Sequence, residues 1–103
     1  MSSAHYVFIL ASKPRGALHV EATSQLAESV QEHRNNLVDG LTALYAIHQL
    51  VHLERFDDRG QALLRAQELK RLPRCLKLHL VESRNPAWRD LFNDVVSRES
   101  IHP

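Results

Sequence analysis

At 103 residues, 44% of them hydrophobic and 24% charged, the chain has the composition of one globular domain and no room for a second. A chain of this length buries roughly 65% of its unfolded surface, enough for a core without staples. Cys75 is the single cysteine, so an internal disulfide framework is excluded, and the N-terminal apolar run is too short for a signal or membrane segment. These features place the protein, as an expectation, in the cytoplasm with no membrane partner.

In chain order, HYVFILA at residues 5–11 is aromatic and β-branched enough for a strand buried on both faces. SKPRG follows with Pro14 and Gly16, a turn of hairpin length. ALHVEAT is then a second strand, with Ala17, His19 and Glu21 on one face and Leu18, Val20 and Ala22 on the other. Thr23 and Ser24 are candidate caps of a helix reaching about Asn35, with Leu26 and Val30 as its apolar stripe. Asp39-Gly40 breaks the chain, and HQLVHLE at residues 48–54 gives a third strand. The economical sheet pairs the first two strands as a hairpin and adds the third antiparallel.

From Asp58, a cap candidate, Ala62, Leu63, Ala66, Leu69 and Leu72 form a helix stripe that Pro73 ends, or that Pro73 follows by opening the next helix. RCLKLHLVES is ambiguous, because Leu76, Leu78 and Leu80 alternate as a strand would. Asn85-Pro86 looks like a cap and first helical residue, with Trp88, Leu91, Phe92, Val95 and Val96 as the apolar face. Residues 98–103 are expected to fray.

HYVFILASKPRGALHVEATSQLAESVQEHR, QALLRAQELKRL and NPAWRDLF together resemble a small stand-alone GIY-YIG endonuclease domain of the bacterial type, over about residues 5–97. The resemblance implies an α+β fold in which helices flank a three-stranded antiparallel sheet, and it implies helix for RCLKLHLVES. It also implies phosphodiester hydrolysis with one divalent metal, served by two tyrosines, an arginine and a metal-binding glutamate. The matching positions hold Phe8, His19 with Glu21, Ser29 and Ala66. Phe8 has no hydroxyl, Ser29 has no charged fork for a phosphate, and Ala66 offers no oxygen to Mg²⁺. Losing an arginine of this kind costs about 10³–10⁵ in rate. His33 and Asn85 match polar positions that the family keeps. A non-cleaving nucleic-acid-binding or regulatory domain without a cofactor is therefore expected.

Two alternatives stay open. His19, Glu21 and His33 could rebuild a His/carboxylate site that takes a divalent metal and cleaves DNA. The scaffold could instead serve as a protein-interaction or homodimer module. Charge is uneven: residues 1–58 carry a net of −3 and residues 59–103 a net of +4. Arg65, Lys70, Arg71, Arg74 and Lys77 offer a strip for phosphate contacts with DNA, with no aromatic ladder for base readout. Solvated helix faces would show the same charges.

Overall fold

The computed structural model describes residues 4–35 and 47–95. Within them β1 (His5–Ala11), β2 (Leu18–Thr23), α1 (Leu26–Arg34), β3 (Gln49–Phe56), α2 (Arg59–Arg71) and α3 (Arg74–Arg84) follow in order. The sheet has the order β2-β1-β3 and both pairings are antiparallel, so the α+β architecture is as expected. No described helix is long and apolar enough to cross a membrane. The Asp39-Gly40 break, Val96 and residues 98–103 lie outside the described residues.

β1 is central because its residues are apolar on both faces: Val7 through Ala11 are fully buried. Burying Phe8, Ile9 and Leu10 contributes about 2 kcal/mol each. Alternate residues feed two cores. Val7, Ile9 and Ala11 pack with Val20, Val51, Ala62, Ala66, Leu69 and Val81, under α2 and α3. Phe8 and Leu10 pack with Leu26 and Val30 of α1, with Leu50, and with Phe92 and Val95 near the end of the described chain.

The β1–β2 turn is tight. Ser12 N–H donates to Ala17 O at 3.0 Å and Gly16 N–H to Lys13 O at 2.9 Å. Arg15 adopts φ 58°, and a Cβ on Gly16 would crowd the Ser12 and Lys13 side chains, so a larger residue there forces them to shift. β3 carries a bulge. Ile9 faces His52 while Leu10 faces Leu50, so Val51 is the extra residue. The bulge shifts the alternation, which is how Leu50 and Leu53, three apart, both serve the α1-side core.

Several element boundaries differ from the sequence expectation. Gln25, with no side-chain cap bond, precedes α1; Thr23 acts two residues earlier, its Oγ1 accepting from Gln25 N–H at 3.0 Å. Asp58 does cap α2, accepting from Gln61 N–H at 2.9 Å. In the α2 stripe Leu63 points outward and is 44% exposed, because the buried face runs through Ala62, Ala66 and Leu69. RCLKLHLVES is α3, with Pro73 at its N-cap, and Val81 is its buried residue. Asn85-Pro86 opens no helix: Asn85 is the C-cap of α3, and the next helical turn begins at Phe92, whose N–H donates to Asp90 Oδ1 at 3.0 Å.

Candidate functional site

Two-residue spacing on β2 puts His19 and Glu21 on the face that looks toward α1. In register, Glu21 stands across from Phe8 and His19 across from Leu10. On α1, Leu26, Val30 and His33 share the buried stripe at i, i+4 and i+7, so His33 is carried into the interior and is only 3% exposed. The three polar side chains therefore meet. His19 Nε2 lies 3.2 Å from Glu21 Oε1, and His33 Nε2 lies 3.3 Å from the same oxygen. The imidazole rings of His19 and His33 are 4.9 Å apart, and Phe8 sits edge-on to His33 at 6.5 Å.

Burial pushes the Glu21 carboxyl upward, but the hydrogen bond from His19 and the charge and hydrogen bond of His33 outweigh it, leaving the group below its ordinary 4.5. His33 Nδ1 is sealed from solvent and has no hydrogen-bond partner. Ser29, one turn before His33, bonds through its hydroxyl to Thr23 Oγ1 at 2.6 Å.

Ala66 does not join this group. It packs in the other core, against β1 residues of opposite parity, so the sheet separates it from Phe8, His19, Glu21 and His33. The physical reason is that α2, with its small Ala62 and Ala66, lies close over the Val7–Ile9 face. The divalent cation that the resemblance implies does not fit here: Ala66 has no oxygen and lies across the sheet from the other family positions.

On that second face the sequence reading missed a polar cluster. His52 Nε2 is 2.8 Å from Glu54 Oε2, and Arg65 grips the same carboxylate through two bonds of 2.8 and 3.1 Å. Burial lowers the His52 pKa despite the opposing Glu54. Burial raises Glu54, and Arg65 with His52 brings it below its ordinary value. The signal was a His-x-Glu on β3 that repeats the His19-x-Glu21 of β2.

Asn85 is committed to structure. Its Nδ2 donates to Val51 O at 3.1 Å and Arg89 O at 2.9 Å, and its Oδ1 accepts from Arg89 N–H at 3.0 Å. The first of these supplies a donor to the bulge residue's carbonyl. Beside it, Leu50 N–H donates to Asp90 Oδ1 and Leu91 N–H to Leu50 O, so the 85–91 segment covers the outer edge of β3.

The basic strip is divided by its partners. Arg65 is held by Glu54, Arg74 donates to the Arg15 and Gly16 carbonyls, and Lys77 donates to Lys70 O at 3.1 Å. Lys70 and Arg71 remain as exposed side chains at the end of α2. Lys70 and Arg74 are not on one helix face, because Leu72 and Pro73 separate α2 from α3.

No protein-family model and no solved structure matches the chain. Two proteins are similar over most of it. A UPF0213 protein of Staphylococcus saprophyticus is 31% identical over 77 residues, 75% of this chain and 93% of that protein. A UPF0213 protein of Natronomonas pharaonis is 33% identical over 81 residues, 79% of this chain and 94% of that protein. Both span nearly their whole length on this chain, and the β2-β1-β3 antiparallel sheet fits a GIY-YIG-like fold: the chain belongs to the UPF0213 family.

Proposed function

We propose that the chain is a non-cleaving GIY-YIG-like domain that binds nucleic acid through backbone phosphates in a regulatory or accessory role. The observation that carries this reading is the Glu21 carboxylate, held by His19 and His33 and set opposite Phe8. With no cation bound, an ionised carboxylate at that point repels a phosphate, and it offers no substitute for a tyrosine hydroxyl. Ser29, tied to Thr23, presents no positive charge to an anion. Binding falls instead to exposed cations of the helices, Lys70 and Arg71 first, with Arg59 and Arg84.

The test is a fluorescence-anisotropy titration of single- and double-stranded DNA over a range of salt. The reading expects affinity that falls steeply with salt, shows little sequence preference, and is lost in the Lys70→Glu, Arg71→Glu double variant. Absence of binding at low salt refutes it and favours a protein-interaction module, for which Leu63, Leu64 and Leu76 provide exposed apolar surface on α2 and α3.

The convergence of His19, Glu21 and His33 favours a second reading, a DNA endonuclease with a rebuilt site. It differs from the first in one respect that can be measured directly: DNA is cut.

A further inference from the structure

We infer that His19, Glu21 and His33 form a binding site for one divalent transition-metal ion of the Zn²⁺ or Co²⁺ kind, joining β2 to α1. This goes beyond the nucleic-acid reading and does not rest on it.

Chemistry and geometry agree on the ion. One ligand atom from each of the three residues lies within 4.8 Å of the other two. The edges from Glu21 Oε1 to the two Nε2 atoms are 3.2 and 3.3 Å. Ligands held about 2.0–2.1 Å from Zn²⁺ stand roughly 3.3–3.4 Å apart in a tetrahedron. The two Glu21 edges come near that length, and the imidazole-to-imidazole edge, within 4.8 Å, closes toward it when the ion binds. Two imidazoles with one carboxylate suit Zn²⁺, Co²⁺ or Ni²⁺, whereas Mg²⁺ and Ca²⁺ select sites built of oxygen alone. One carboxylate and two neutral rings present a single negative charge to the cation.

The frame is prearranged. His19 and Glu21 are fixed by the β1–β2 register, and His33 by the buried stripe of α1. His19 and Glu21 keep side-chain exposures of 32% and 36%, so an ion can enter from solvent, while His33 closes the inner side.

His33 Nδ1 is buried without a partner, and an ion held at Nε2 leaves it so. This sets the strength of the site. Metal-bound imidazoles are normally held by an acceptor on their second nitrogen, and lack of one weakens binding about 10–100-fold. Affinity is accordingly expected on the order of micromolar, below that of closed structural zinc sites.

The experiment titrates the metal-stripped, full 103-residue chain with Zn²⁺ by calorimetry and with Co²⁺ by visible absorption. One equivalent should bind, with Co²⁺ bands of a nitrogen- and oxygen-ligated ion, and Mg²⁺ should not compete. His19→Ala and Glu21→Gln should each weaken binding about tenfold or more, while His79→Ala and Cys75→Ser leave it unchanged. His19 is partly exposed, so its variant keeps the fold, to be checked by circular dichroism, even if His33→Gln does not. No saturable uptake, or uptake indifferent to His19→Ala and Glu21→Gln, overturns the inference; equal competition by Mg²⁺ overturns the assignment to a nitrogen-rich site.

Discussion

Glu21 and His33 lie 12 residues apart in sequence and meet at 3.3 Å, linking the edge strand β2 to the buried stripe of α1. The contact turns a helix histidine into an interior one and places a carboxylate opposite Phe8. Glu21 thereby organises the face of the sheet on which the family resemblance puts its chemistry.

Replacing Glu21 with glutamine should change DNA binding little, because the sheet separates Glu21 from α2, whose Lys70 and Arg71 carry the phosphate contacts. Anisotropy titration at low salt checks this. A clear gain in affinity would place the bound strand on the α1-side face instead.

Asn85→Ala should cost about 2–4 kcal/mol in urea unfolding, since it removes three hydrogen bonds and strands the Val51 carbonyl at the β3 bulge. A loss below about 0.5 kcal/mol would mean that water replaces those bonds.

Arg65 and Lys70 should separate stability from binding. Arg65→Ala leaves the Glu54 carboxylate without its bidentate partner and should destabilise by about 2 kcal/mol. Lys70→Ala should shift the thermal midpoint little and weaken DNA binding. Equal loss of binding in the two, with stability unaffected, would show that the Arg65–Glu54 pair opens in solution.

Acid should destabilise the protein in two stages. His52 has a folded pKa below its ordinary 6.5, so the unfolded chain takes the proton first, and the stability present above 6.5 declines as pH falls through the folded value. Glu21 and Glu54 sit below their ordinary 4.5, so their contribution holds above 4.5 and is lost as pH falls through their folded values. Thermal midpoints measured from about pH 8 down to pH 3 should show both declines. A flat profile down to about pH 5 would contradict the burial of a neutral His52.

The parts of the fold legible in the sequence were those where one periodicity rules. An unbroken apolar run gave β1, alternation gave β2 and the face shared by His19 and Glu21, and the Asp58 cap opened α2. Legibility ended where tertiary partners decide. The spacing of Leu76, Leu78 and Leu80 suited a strand, yet in α3 packing is settled by Val81, and Leu76 stays 49% exposed. The alanine stripe of α2 told which side of the helix is apolar but not which face of the sheet it covers, so Ala66 was grouped with residues across the sheet. Asn85 resembled a helix cap because a side-chain amide suits a bulge carbonyl equally well. Counting charges could not reveal that Arg65, Arg74 and Lys77 already have partners.

A plasmid-nicking assay with purified protein in Mg²⁺, Mn²⁺ and Zn²⁺ tests the central claim most directly. The account predicts that supercoiled DNA stays intact under all three, because no tyrosine hydroxyl, arginine or metal-binding glutamate stands at the family positions Phe8, Ser29 and Ala66. Nicking that tracks with the protein and disappears in His19→Ala would contradict it and establish hydrolysis at a site rebuilt around His19, Glu21 and His33.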